Sequence, residues 1–126
     1  MKTVQNLNNI QNFYFIGIGG IGMSALARYF NATGKRDAGY DKTPSVLTGK
    51  LEAEGIEVNY VDEVDAIPQQ FRNKENTLVV YTPAIPKDHK QHHYFLDENF
   101  EIQKRIEKKF DSGRGIFVVT LKKQTA

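Results

Sequence analysis

Between Phe13 and Ser24 the chain passes from a short apolar run into Gly17-Ile18-Gly19-Gly20-Ile21-Gly22 and then into helical spacing. Phe13, Phe15, Ile16 and Ile18 are the aromatic and β-branched residues of a buried strand. The glycines after them let the backbone turn sharply and come within hydrogen-bond reach of a ligand. From Ile21 onward Met23, Leu26 and Phe30 fall on one helical face with Ala27 beside them, and Gly34 is placed to stop the helix. The first turn of such a helix carries unpaired N–H groups at the positive end of the macrodipole, so a diphosphate binds there without a side-chain cation. Gly17, Gly19, Gly20, Ile21, Gly22, Met23 and Ser24 are therefore the candidate phosphate-binding residues.

An acidic residue completes the pattern. Asp41 ends Ala38-Gly39-Tyr40-Asp41, close to twenty residues past Gly22, the usual distance to the acid that meets a ribose or base in a nucleotide-binding βαβ unit. The plainer alternative is that the glycines only permit tight strand-to-helix packing and that Asp41 caps the next helix.

The rest of the chain alternates in the same way. Ala38–Asp41 reads as a second strand, and Thr43-Pro44-Ser45 opens a helix through Leu47, Leu51 and Ala53 with Gly55 past its end. Ile56–Tyr60 and Leu78–Tyr81 read as strands, Asp88–Glu98 as a helix, and Phe100–Ile102 as a short strand. Ile106–Phe110 is expected to be helical, and Ile116–Val119 is a final apolar run. Strands separated by helices predict an α/β, Rossmann-like fold: an open, doubly wound, mainly parallel sheet of about five strands with helices on both faces. Ligands of such sheets sit beyond the carboxyl ends of the strands. Gly17–Ser24, Asp41–Thr43 and Thr82–Lys87 meet that condition, and the prolines Pro83 and Pro86 stiffen the third segment into a fixed wall.

The chain's 126 residues fit one compact domain. A net charge of +2, with 17 basic against 15 acidic residues spread along the chain, carries no nucleic-acid footprint. Without cysteine there are no disulfides or thiolate metal sites. Met1 to Asn6 leads into a polar Asn/Gln stretch with no apolar signal segment, and no run reaches membrane-spanning length, so a cytoplasmic protein without membrane contact is expected. His89 and His93 stand at helical i, i+4 spacing, as metal ligands can, but lack a third ligand at a sensible spacing, so a solvated helix face is expected and no metal. Lys104, Arg105, Lys108 and Lys109, interleaved with Glu101 and Glu107, read as an exposed, charge-paired helix. Lys35-Arg36-Asp37 puts charge at the start of the second strand, which would be costly if buried. Nothing so far separates a nicotinamide-binding domain of an oxidoreductase, a nucleotide-sensing module without catalysis, and the substrate-binding domain of a ligase.

With GIGGIGMS at Gly17–Ser24, Gly39-Tyr40-Asp41, and Thr82-Pro83-Ala84-Ile85-Pro86-Lys87 in this order, the chain resembles the N-terminal domain of the UDP-N-acetylmuramate–L-alanine ligases of the Mur ligase family. The resemblance covers roughly residues 12 to 106. It implies that the glycine turn and helix N-terminus hold the diphosphate of UDP-N-acetylmuramate. By position, Asp41 and Lys42 would meet the uridine end, with Thr82, Pro83, Ala84 and Ile85 lining the opposite side. In that family ATP and magnesium, held by a central-domain loop of the form GTxGKT, activate the sugar's carboxylate for attack by L-alanine. Here the corresponding stretch reads Val119-Thr120-Leu121-Lys122-Lys123-Gln124-Thr125-Ala126, without a glycine. The expectation is a domain at residues 1–110 that binds substrate but has no cofactor and no catalytic residue of its own. Its partners would be UDP-N-acetylmuramate and the remaining ligase domains. Residues 111–126 are expected to be a divergent strand or tail.

Overall fold

The computed structural model describes residues 10–109 and 117–123, with side chains described for residues 10–104. Its elements are β1 (Asn12–Ile16), α1 (Ile21–Ala32), β2 (Arg36–Tyr40), α2 (Val46–Ala53), β3 (Glu57–Asn59), β4 (Thr77–Tyr81), α3 (Lys90–Asp97), β5 (Glu101–Lys109) and β6 (Phe117–Lys123). The sheet runs β3-β2-β1-β4-β5-β6; the first five strands in chain order are mutually parallel, and β6 lies antiparallel on the edge of β5. Strand order reverses between β1 and β4, the switch point at which a doubly wound sheet opens a crevice.

Alternation along the strands explains why β1 and β4 are apolar throughout. Phe13, Phe15, Leu78 and Val80 pack with Met23, Ala27 and Phe30 of α1 and Leu51 of α2. Their neighbours Tyr14, Ile16, Val79 and Tyr81 pack on the other face with Phe95 of α3, Ile67 and Phe71. A strand covered on both faces has no solvent side to carry polar residues. Helix boundaries follow their chemistry. Ser45 accepts a hydrogen bond from the Thr48 amide at 3.2 Å while the Ser45 amide donates to Thr48 Oγ1 at 2.8 Å, a capping box that starts α2. Gly34 and Gly55, just past α1 and α2, take φ of +89° and +90°. No helix among the described residues is long and apolar enough to cross a membrane.

Two expectations are corrected. Residues 106–109 are not helical: β5 continues through them and pairs with β6 from Gln103↔Lys123 to Lys109↔Phe117. The helical reading rested on charge spacing, a weak effect, whereas pairing with β6 satisfies the backbone groups of a segment with few apolar residues to hold a helix down. The basic cluster from Lys104 to Lys109 accordingly sits on a strand. The sheet gains a sixth strand from the apolar run after Ile116. Phe110, Asp111–Gly115 and the polar stretch at residues 1–9 lie outside the described residues. Between β3 and β4, where no element was expected, two short 3₁₀ turns carry Ile67 and Phe71 into the core. Arg72 fixes them by donating to the carbonyls of Val64 and Ile67 at 3.0 and 2.9 Å.

Of the charged residues at the start of β2, Arg36 stays exposed and Asp37 is buried. Asp37 is 7% exposed, and burial pushes its carboxyl up to about 8, opposed by the Asn31 backbone. A folded-state value above the unfolded 3.8 means this group favours the native state below about pH 4 and that the advantage is lost as pH rises through about 8. Asp37→Asn, which mimics the protonated acid, is expected to leave stability near pH 4 almost unchanged and to raise it progressively toward pH 8. The gain follows from roughly 1.4 kcal/mol per unit of displacement, and totals a few kcal/mol. Denaturant melts of both proteins at pH 5 and pH 8 check this; an equal difference at the two values would refute it.

Candidate functional site

At the carboxyl ends of β1, β2 and β4 the three segments converge on a cleft of about 410 Å³. The glycine turn contributes Gly17, Gly20 and Met23; the end of β2 contributes Tyr40, Asp41 and Lys42; the loop after β4 contributes Thr82, Ala84, Ile85 and Pro86. Asp62 and His89 complete the lining. A largely apolar cleft of this size with a few convergent polar groups suits a small organic ligand.

The glycine turn is held open by its backbone. Gly17 takes φ +94°, and the amides of Gly17 and Ile18 donate to the Tyr40 carbonyl at 2.8 and 2.9 Å, locking the turn to β2. A Cβ on Gly17 would lie 2.3 Å from Thr82 Cγ2, so the loop after β4 presses directly on the turn. Gly20 is the N-cap of α1 in extended conformation (φ −65°, ψ 154°) and supplies no side-chain cap. The helix thus begins with its positive end and first-turn amides uncapped by protein side chains, the arrangement an anion completes.

Asp41 is placed to shape this turn. Its Oδ2 accepts the Gly19 amide at 2.7 Å and its Oδ1 accepts the Thr43 amide at 3.1 Å. Of the other candidates, Ser24 is buried, donating its hydroxyl to the Ile21 carbonyl at 3.0 Å and its amide to Gly20 at 2.8 Å. Ile21 is 81% exposed, and Gly22 follows it in the first turn of α1. Pro83 lies in a neighbouring hollow of about 370 Å³ with Lys87, His92 and Lys104.

Sequence reasoning missed the far wall. His89 is not on a solvated face: it is 3% exposed, caps α3 by accepting the His92 amide on Nδ1 at 3.3 Å, and packs edge-on against Tyr40 with ring centroids 4.7 Å apart. Burial pushes its imidazole below the usual range, with Asp62 opposing. His93, one turn on, is exposed, and no group of three or more His, Cys, Asp or Glu able to hold a metal occurs among the described residues. Asp62 accepts the amides of Lys90 and Gln91 at 2.8 and 3.0 Å. Behind them Tyr14 donates to Gln91 Oε1 at 2.6 Å, Asn59 donates to Tyr14 at 2.8 Å, and Gln91 donates to Asn59 Oδ1 at 3.1 Å. This buried network clamps the loop after β3 to α3. The only sequence signal for it was the position of His89 just after the proline loop, at the start of an amphipathic stretch.

A mainly parallel sheet whose switch point carries a glycine turn, an uncapped helix N-terminus and an acid just past β2 has the architecture of the doubly wound α/β class, whose ligands sit at that point. The chain belongs to the Mur ligase family, whose catalytic-domain profile matches residues 12–108. It is 59% identical over 105 residues to the UDP-N-acetylmuramate–L-alanine ligase of Christiangramia forsetii, covering 82% of this chain and 23% of that protein. It is 56% identical over 102 residues to the ligase of the same name from Flavobacterium johnsoniae, covering 81% and 22%. The crystal structure of a UDP-N-acetylmuramate–alanine ligase from Thermotoga maritima superposes with a TM-score of 0.65 at 28% identity, over 74% of this chain and 20% of that one. The chain spans less than a quarter of the length of these relatives.

Proposed function

We propose that this chain is the UDP-binding, N-terminal part of an ATP-dependent ligase that joins L-alanine to UDP-N-acetylmuramate in building peptidoglycan. The observation that carries the reading is the uncapped α1 N-terminus beside the glycine turn, in a chain 59% identical to a ligase of that name. In this reading residues 1–110 are the binding domain and 111–126 a divergent segment. The backbone of Gly17, Gly19, Gly20, Ile21, Gly22, Met23 and Ser24 surrounds the diphosphate. Asp41, Lys42, Thr82, Pro83, Ala84 and Ile85 surround the uridine and sugar. ATP and magnesium act in the central domain of the whole ligase. In this reading the 126 residues bind substrate and are given no step of the ligation. The enzyme would work in the cytoplasm, without nucleic acid or membrane.

Calorimetric titration of the 126-residue chain with UDP-N-acetylmuramate, UDP, NADH and NADPH tests this. Binding of the two uridine ligands in preference to both nicotinamides is expected, with no ATP hydrolysis above background. Equal or tighter binding of a nicotinamide cofactor would overturn the ligase reading in favour of an oxidoreductase domain.

A further inference from the structure

We propose that the first turn of α3 is a proton-operated latch: His89 and His92 hold it against the ends of β2 and β4 while both rings are neutral, and mild acid releases it. The inference concerns the chain's own groups and holds whatever ligand the cleft takes.

His89 is an unusual helix cap. Serine, threonine, aspartate and asparagine are the residues that cap well, and Asp62 already accepts the amides of Lys90 and Gln91. An imidazole differs from all of these in losing its acceptor when it takes up a proton near neutral pH. His89 Nδ1 accepts the His92 amide at 3.3 Å, so a proton on that nitrogen sets donor against donor. The nearest base is Asp62 Oδ1, 3.3 Å from the same nitrogen, and an ion pair there would draw on a carboxylate whose two oxygens hold the Lys90 and Gln91 amides. The opposite nitrogen, Nε2, is buried without a hydrogen-bond partner. His92 repeats the arrangement one strand over: its ring lies against Tyr81 of β4 with centroids 4.5 Å apart, and its Nε2 is also buried without a partner. A positive charge on either ring is therefore taken out of water with no hydrogen bond to repay it.

The groups around the two rings point the same way. His89 packs on the uncharged ring of Tyr40; Asp62 and Asp88 favour its charged form and His93 opposes it, but burial outweighs them and holds the imidazole below the ordinary 6.5. Burial, then His93 and His89, lower His92 in turn, and the hollow it lines also holds the cations Lys87 and Lys104. Folded values below the unfolded 6.5 mean that these rings contribute stability fully present above about pH 6.5 and lost as pH falls through the folded values. Asp37 titrates in the opposite sense, near the start of β2 and away from Tyr40. The cap, both Asp62 bonds and both rings sit at the start of α3, so the loss appears there first. Opening it withdraws His89 and Asp62 from the cleft wall.

Amide hydrogen exchange of the 126-residue chain at pH 7.5 and pH 5.5 tests the latch. Protection of the His92 to Phe95 amides, taken relative to α1, should fall several-fold at the lower pH, to a limit of about tenfold per imidazole one unit below its ordinary value. His89→Asn keeps a cap that does not titrate, and His92→Phe keeps a ring on Tyr81. Each should remove its own share of the loss, and the double variant should show equal relative protection at both pH values. Each chain is compared with itself, so a lower stability of the variant does not enter the ratio. Relative protection that is unchanged by pH in the unmodified chain, or a loss that persists in the double variant, would overturn the inference. A ring-carbon titration of the unmodified chain is an independent check: midpoints for His89 and His92 at or above 6.5 would overturn it as well.

Discussion

Gly19→Val is expected to abolish UDP binding while the chain stays folded. A Cβ built on Gly19 lies 2.7 Å from Asp41 Oδ2 and 2.9 Å from Thr48 Cγ2, inside the closest approach of real carbon atoms. The first atom to move is the carboxylate that holds the Gly19 amide, so the turn loses its anchor as well as its free approach. The injury falls on a loop rather than on the core, and a cooperative melt should survive. Gly20→Ala is the control: its Cβ would meet nothing closer than 3.6 Å, an ordinary contact, and affinity should fall much less. Asp41→Ala should lie between, costing about 1–3 kcal/mol of binding. Inorganic pyrophosphate separates its two roles. If Asp41 acts by holding Gly19, UDP and pyrophosphate weaken together; if it meets the uridine, only UDP does. Full UDP affinity in a folded Gly19→Val variant would remove the glycine turn from the site.

Gly39→Val, by contrast, is expected to prevent folding. Gly39 stands opposite Phe15 in the β1–β2 ladder, and a Cβ there would sit 2.4 Å from the Phe15 carbonyl oxygen and under 3 Å from the Ile18 side chain. Neither backbone can yield without breaking parallel pairing at the centre of the sheet, and Ile18 is fully buried. Strain of this kind belongs to the most severe class of substitution, about 4 kcal/mol or more, a large part of a small domain's whole stability. Even Gly39→Ala should lower the melting temperature by well over 10 °C, at roughly 4–8 °C per kcal/mol for a domain near this size. A variant that melts within a few degrees of the parent would show that β1 and β2 are less closely packed than described.

The two glycines illustrate what could be read from the chain and what could not. Gly17–Gly22 declared itself because a glycine cluster between an apolar run and a helical run is a local pattern, and local patterns survive without coordinates. So did the parallel architecture, because the doubly buried runs of β1 and β4 have no polar face and the helices between them repeat on schedule. Gly39 read only as part of a family motif, since the carbonyl it must avoid lies twenty-four positions earlier. The basic stretch after Ile102 was misread for the opposite reason. Its charge spacing fits a helix, but each such pair contributes only a few tenths of a kcal/mol, and a ladder with residues 117–123 outweighed them.

The sequence alone thus determined the class of fold, the glycine turn and the segments around it, all consequences of period and backbone freedom within short windows. Tertiary structure decided the far wall of the cleft. Tyr14, Asn59, Asp62 and Gln91 come together through hydrogen bonds spanning 29 to 77 positions, and His89 lies against Asp62. A histidine looks solvent-facing until the loop that buries it is known. Burial disfavours its charged form, and that burial is not written in any short stretch of the chain.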